Sequence, residues 1–366
     1  MSSLRKQRFE QFRERLRQRG MTAALLTSPT ALLYLTGFQS DPMERFLALW
    51  IPAEGETILF VPELDEAKAA TAENIGTIVP VTDSDSPYEI VRRECGEAPA
   101  RCGIEKKTMS IHVGEQLSLL WEQTEFLEVG GELSAIWGRK TREEADFIGK
   151  AAHIANEAVE AALKNFSPGM TEREVAERIL LEIRLLGGDG PAFSPTVLAG
   201  VRAGLPHGET GDTPIRDGDF LLIDMGVSYR NYLSDMTRTF LVGSGTAEQE
   251  TIYDTVREAN RRAIAAIRPG VPLSEIDDAA RSWISAQGYG EYFIHRVGHG
   301  LGMVIHEEPS IHGRNGDVIV PGMLFTIEPG IYVPGVGGVR IEDDIYVNEK
   351  GETERLTCFP RELRRL

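Results

Sequence analysis

Leu221-Leu222-Ile223-Asp224-Met225-Gly226-Val227-Ser228-Tyr229 leads through Arg230-Asn231 into Tyr232-Leu233-Ser234-Asp235-Met236-Thr237-Arg238-Thr239-Phe240. Two runs rich in apolar and β-branched residues flank a polar Tyr-Arg-Asn tip, the pattern of a β-hairpin. Each run carries one aspartate, and the two stand eleven residues apart. A two-residue turn at the tip places residues of equal cross-strand phase on one face, so Asp224 and Asp235 point the same way. Like charges facing each other across a ladder destabilise it. A cation between them removes that objection. The alternative is two solvent-facing aspartates, and the hairpin alone leaves both readings open.

The downstream sequence shifts that balance. Five of the seven histidines, His207, His295, His299, His306 and His312, fall between residues 207 and 312. Three belong to His295-Arg296-Val297-Gly298-His299-Gly300-Leu301-Gly302 and its continuation to His306. Gly298, Gly300 and Gly302 strip side chains from around His299, as expected where backbone approaches a site closely. Two glutamates follow in apolar strand contexts, Phe325-Thr326-Ile327-Glu328-Pro329-Gly330 and Val339-Arg340-Ile341-Glu342-Asp343. A glutamate in such a run is costly to bury unless it is paired or bound to a cation. Four carboxylates and one imidazole can share two divalent ions of the hard to borderline kind.

With 366 residues the chain is long enough for two domains with cores of their own. A net charge of −17 argues against nucleic acid or an anionic membrane as the main partner. Cys95, Cys102 and Cys358 have no metal-ligand spacing and cannot all pair, so a reducing, cytoplasmic setting is expected. No apolar run approaches membrane-spanning length, and the arginine-rich start has no apolar core of a signal peptide. Residues 1–128 read as a small α/β domain. A basic amphipathic helix bearing Leu4, Phe9, Phe12 and Leu16 is followed by strands at 23–26, 32–35, 46–51, 57–61 and 77–81 and helices at 64–72 and 88–94. The charged loop Asp41-Pro42-Met43-Glu44-Arg45 has no evident task in that core. Residues 129–139 read as a linker.

Residues 140–366 form the second domain. A long helix over 145–166 ends at Ser167-Pro168-Gly169, and Thr171 with Glu174 is a capping box for the next. A helix over 259–267 ends at Arg268-Pro269-Gly270, and Ser274 is expected to cap another running towards Trp283. This echo, about a hundred residues on, suggests two related halves. The second should face residues towards the hairpin of the first.

Taken together, Asp224, Asp235, the Gly-His-Gly segment at His299, Glu328-Pro329-Gly330 and Arg340-Ile341-Glu342 resemble the pita-bread metallopeptidases. That is the family of methionine aminopeptidase, aminopeptidase P and prolidase. The resemblance covers residues 135–366 strongly and extends more weakly over the first domain, which resembles the non-catalytic domain of prolidases, aminopeptidases P and creatinases. Creatinase lacks the metal ligands, whereas all five are kept here. The Asp41 to Arg45 loop is most similar to that of compact bacterial prolidases, although Met43 stands where those often have histidine. A second departure is Asp344, in place of the usual threonine.

The resemblance implies an α+β fold with a pita-bread catalytic domain and a smaller amino-terminal α/β domain. It implies two divalent ions held by Asp224, Asp235, His299, Glu328 and Glu342, with Mn²⁺ expected first and Co²⁺, Zn²⁺ or Fe²⁺ also fitting. Glu328 is the implied proton acceptor, and His306 and His207 the groups that hold substrate and stabilise the tetrahedral intermediate. His295 and Arg340 would lie around the substrate's carboxylate, where Arg340 can pin the anion or orient Glu342. In such prolidases the loop with Asp41, Glu44 and Arg45 reaches the other subunit of a homodimer, and Met43 would favour apolar residues before proline. The implied activity is hydrolysis of Xaa-Pro dipeptides. Aminopeptidase P, acting on longer peptides, is the second reading, and a non-catalytic peptide-binding protein the third.

Overall fold

The computed structural model describes residues 2–366. The chain divides into two compact units, Met1–Trp137 and Gly138–Leu366. In the first, strands β1 (Ala23–Leu26), β2 (Ala48–Pro52), β3 (Ile58–Pro62), β4 (Thr77–Val81), β5 (Arg101–Ile104) and β6 (Glu125–Glu128) form one sheet of order β4-β3-β2-β1-β5-β6. Helices α1 (Ser2–Gln18), α2 (Pro29–Thr36), α3 (Glu66–Ala69), α4 (Pro87–Cys95), α5 (Ile111–Leu120) and α6 (Gly130–Trp137) accompany it. Phe9, Phe12 and Leu16 of α1 are buried, as the amphipathic pattern requires.

Two local expectations fail for identifiable reasons. Leu32 to Leu35 are helical rather than extended. Ser28 accepts the Ala31 N–H, Pro29 opens the first turn, and Gly37 closes the helix at φ 72°. The short apolar run is buried on most sides, so its composition suits either structure. The helix read over 64–72 shrinks to a 3₁₀ turn at Glu63–Asp65 and the four residues of α3. The stretch read as a linker carries α6, whose Trp137 stacks on Tyr34 of α2 with ring centroids 4.6 Å apart.

The second unit contains helices α7 (Arg142–Leu163), α8 (Glu172–Leu185), α9 (Ala247–Ala266) and α10 (Leu273–Ala286). Its strands are β7 (Gly190–Pro191), β8 (Thr196–Ala199), β9 (Phe220–Met225), β10 (Val227–Tyr229), β11 (Tyr232–Leu233), β12 (Met236–Leu241), β13 (Gly298–Gly300) and β14 (Glu307–Ile311), then β15 (Leu324–Ile327), β16 (Gly330–Val333), β17 (Gly337–Arg340), β18 (Asp343–Val347) and β19 (Thr353–Arg355). Capping boxes at Thr141 with Glu144, Thr171 with Glu174, and Thr246 with Gln249 begin three of the helices.

The two halves repeat down to single hydrogen bonds. The Gly169 N–H bonds Ile215 O at 2.7 Å, and the Gly270 N–H bonds Ile319 O at 2.8 Å. Glu172 and Arg173 N–H reach Thr213 and Gly211 carbonyls, just as Leu273 and Ser274 N–H reach Asp317 and Asn315. These bonds also explain why Ser274 is no cap. The helix starts after Pro272, and loop carbonyls already satisfy its first N–H groups.

Alternation along the strands aims the site. Phe220 and Leu222 of β9 join the core with α9 and α10, whereas Leu221, Ile223 and Met225 join the core with α7 and α8. Asp224 therefore lies on the Phe220 and Leu222 side, towards the second half. In that half Phe325, Ile327, Ile341, Ile345 and Val347 enter the core with α9 and α10. Thr326, Glu328 and Glu342 take the opposite face.

Candidate metal centre and active site

Two interrupted hairpins carry the acidic residues. In the first, Tyr229 pairs with Tyr232 around Arg230 and Asn231, whose φ values of 52° and 66° define a two-residue turn of the I′ kind. Thr237 pairs with Asp224, and Asp235 lies two residues before Thr237, so both aspartates share a face. The ladder breaks at Gly226. There the Asp235 N–H turns to the Asp344 carboxylate, at 3.1 Å. That contact gives the unexpected Asp344 its structural role. In the second hairpin the pairs Ile327–Asp343 and Gly330–Arg340 keep one register, which sets Glu328 opposite Glu342 at another interruption.

His299 comes from the middle of β13. A Cβ on Gly298 would lie 1.9 Å from Thr326 O, and one on Gly300 2.3 Å from Glu308 O, so only glycine admits these neighbours. The His299 ring is pushed down to about 3, by burial first and then by His306, and is therefore neutral. Its Nδ1 lies 3.1 Å from Gly300 O. A carbonyl only accepts, so the proton sits on Nδ1 and Nε2 presents a lone pair. That lone pair faces Glu328 Oε1 at 3.4 Å and Asp235 Oδ2 at 3.8 Å.

Three acceptors aimed at one another repel unless a proton or a metal ion lies between them. Ligand atoms of Asp235, His299 and Glu342 all lie within 4.8 Å of one another. Asp224 Oδ1 and Asp235 Oδ1 are buried with no hydrogen-bond partner. Burial, then the charges of Glu342 and Asp224, pushes Asp235 well above the carboxylate range. Burial, then Glu328 and Asp224, does the same to Glu342, and Glu328 is raised to about 7, mainly by burial. The donor set of carboxylates and one neutral imidazole fits divalent metal ions.

Behind these groups lies a hydrogen-bonded network that joins Arg340 and His295 to two residues no sequence motif announces, Thr237 and Tyr332. Thr237 Oγ1 donates to Glu342 Oε2 at 2.6 Å and accepts from Arg340 Nε at 2.9 Å. Arg340 Nη2 donates to Asp224, and its Nη1 to the Tyr332 hydroxyl at 2.9 Å. Of the two roles open to Arg340, its contacts match positioning, through Thr237 for Glu342 and directly for Asp224. Tyr332 in turn lies 3.0 Å from His295 Nε2. His295 Nδ1 meets Arg296 O at 2.8 Å, which fixes its proton there, so Nε2 accepts the tyrosine O–H. Burial lowers His295 to about 4, and both of its ring nitrogens are engaged. Thr237 and Tyr332 leave no signal in sequence, since a strand threonine and a buried tyrosine are ordinary in such runs.

His306 packs edge-on against His299, with ring centroids 4.4 Å apart. Its ring is held below the ordinary histidine value by partial burial, then by Arg296. The adjoining Glu307 is clamped by a buried ion pair with Lys140, 2.6 Å long, which fixes the strand that His306 leads into. His207 is exposed, yet near enough for its charge to act on both His295 and His306. His312 belongs elsewhere, where its Nδ1 accepts the Arg314 N–H. Asp41, Glu44 and Arg45 lie in the first unit between α2 and β2. Arg45 binds Asp83 at 2.8 Å and Glu44 at 3.1 Å, and Asp41 Oδ1 accepts the Met43 N–H.

The chain is similar to known proteins along nearly its whole length. Residues 146–349 match the model of metallopeptidase family M24, and residues 8–136 that of the creatinase/prolidase N-terminal domain. An uncharacterised peptidase of Staphylococcus saprophyticus is 38% identical over 354 residues, covering 97% of this chain and 100% of the relative. The crystal structure of prolidase from Thermococcus sibiricus superposes with a TM-score of 0.93 at 35% identity, over 99% of both chains. The Xaa-Pro dipeptidase from Bacillus anthracis gives 0.90 at 32% identity, over 99% of this chain and 100% of that one. Matched by these two models over most of its length, this chain belongs to metallopeptidase family M24 and carries the creatinase/prolidase N-terminal domain.

Proposed function

We propose that the protein is a cytoplasmic, homodimeric prolidase that hydrolyses Xaa-Pro dipeptides. Asp224, Asp235, His299, Glu328 and Glu342 would hold two divalent ions, with Mn²⁺ foremost because oxygen ligands outnumber the single imidazole. The observation that carries this reading is the unprotonated His299 Nε2 turned towards Asp235 and Glu328. The dipeptide preference is supported by similarity to a prolidase along 99% of both chains.

The amide before proline has no N–H to grip, which deprives general peptidases of a handle. Two divalent ions, when bound, supply a water of lowered pKa and polarise the scissile carbonyl. Glu328 takes the proton of the attacking water. Its carboxylate can accept that proton and return it to the leaving nitrogen. His306 and His207 donate hydrogen bonds to the oxygen that gains charge in the tetrahedral intermediate. Arg340 keeps Asp224 and Thr237 in position, and His295 with Tyr332 buttresses Arg340 on the side of the substrate's carboxylate.

The test is hydrolysis of Leu-Pro beside a Leu-Pro-Xaa tripeptide by the Mn²⁺-loaded protein. We expect kcat/KM for the dipeptide to exceed that for the tripeptide by tenfold or more. The reverse order assigns an aminopeptidase P activity, and cleavage of neither peptide refutes the enzyme. The same assay tests the loop of Asp41, Glu44 and Arg45, which we assign to the carboxylate end of the substrate. Arg45→Ala is expected to lower dipeptide kcat/KM by tenfold or more. The Arg45–Asp83 pair is too exposed to matter much for stability, so the melting temperature should stay near that of the parent. Unchanged dipeptide kinetics sink the loop's role, and an active monomer in solution sinks the dimer.

A further inference from the structure

One buried side chain outside the ligand set sits behind both glutamates, against the backbone that leads into them. Asn260 lies on the inner face of α9, fully buried between Val256, Ala259 and Ala263. Its Nδ2 donates to Ile327 O at 3.1 Å and to Ile341 O at 3.2 Å. These are the residues immediately before Glu328 and Glu342. Its Oδ1 accepts from Arg361 Nη1 at 2.8 Å, so every hydrogen-bonding atom of the amide is used.

The reason for an amide here lies in Pro329. The register that pairs Ile327 with Asp343 and Gly330 with Arg340 sets Pro329 opposite Ile341. The Ile341 N–H reaches Pro329 O at 3.4 Å. In an antiparallel ladder a pair of this kind exchanges two bonds, the second from the opposite N–H. Proline has no N–H, so the Ile341 carbonyl loses its ladder donor. Asn260 replaces that donor from the helix, and its second N–H ties down the strand that leads into Glu328.

We infer that Asn260 is a positioning residue for the metal centre, fixing the spacing of Glu328 and Glu342 where the ladder between them is broken, with Arg361 fixing Asn260. The inference rests on the reading of the two glutamates as metal ligands. An apolar core asparagine serving stability alone would lower the melting temperature of the metal-free protein and leave metal affinity unchanged. If Asn260 positions the glutamates, its replacement weakens metal binding.

The experiment titrates Mn²⁺ into the metal-stripped full-length protein and its Asn260→Leu and Arg361→Met variants, following heat release and melting temperature. Loss of such an outer partner costs about tenfold to a hundredfold in metal affinity. Asn260→Leu should show a loss of that size, with kcat on Leu-Pro falling and KM little changed. Arg361→Met, which keeps the amide but frees its oxygen, should show a smaller loss in the same direction. This second variant changes a partly exposed side chain and serves if Asn260→Leu does not fold. Parent-like Mn²⁺ affinity in whichever of the two variants folds overturns the assignment of Asn260 while leaving the metal centre standing. No Mn²⁺ uptake by the parent protein overturns both.

Discussion

Loaded with Mn²⁺, the protein is expected to carry close to two ions per chain, and Asp235→Ala to lower that count and abolish nearly all turnover. Asp235 offers a buried, partnerless Oδ1 and an Oδ2 that faces the His299 lone pair. Removing it deletes the most enclosed carboxylate of the first hairpin. Stripping the metal should also leave a signature in stability. Glu328 is raised from its ordinary 4.5 to about 7, and burial raises Asp235 and Glu342 in the same direction. Between those values the folded state holds more protons than the unfolded chain, so stability falls as pH rises. The contribution is fully present below the unfolded value and is lost as pH climbs through the folded one. The melting temperature of the stripped protein should therefore drop between about pH 5 and 8. The Mn²⁺-loaded protein should not share that drop, because bound cations offset the repulsion. A parent protein that takes up no Mn²⁺ refutes the centre, and a stripped protein with no drop across this window refutes its electrostatics.

The second large effect is expected at His306. His306→Ala should keep both ions and lose about 10²–10³ in kcat, the range for deleting one donor to a developing oxyanion. KM for the dipeptide should change little, since the bond strengthens only as charge develops on the oxygen. The ring packs against His299 edge-on, and His299 is held separately by its Nδ1 contact to Gly300 O, so removing the His306 ring should leave His299 Nε2 in place. Metal analysis of the variant decides the matter. If Mn²⁺ is lost with the ring, His306 is a ligand; if turnover is unchanged, it has no part in the reaction.

Much of the site is legible in the sequence because its residues break local rules. Carboxylates inside apolar, β-branched runs are costly, and four of them with a glycine-flanked histidine point to a cation. The repeat of helix, Pro-Gly and helix is likewise visible. Its structural form is the set of equivalent bonds from Gly169 and Gly270 to Ile215 and Ile319. Sequence and structure part where one pattern suits two conformations. Leu32 to Leu35 are helix because Ser28, Pro29 and Gly37 supply helix ends that outweigh the apolar run. Ser274 loses its capping role to carbonyls of a loop some forty residues downstream.

That carboxylates in apolar strand runs need a compensating partner is legible in the sequence alone, since burying such a group is costly wherever the chain places it. The first hairpin belongs to the same class, because alternation and a tip able to adopt positive φ act over neighbouring residues. How those charges are held is a matter of tertiary structure. The roles of Thr237, Tyr332, Asn260 and Asp344 depend on bonds to residues far along the chain, such as Asn260 to Ile341 and Asp235 to Asp344. Such bonds follow from strand register and from the packing of a helix across a broken ladder, and neither leaves a local pattern.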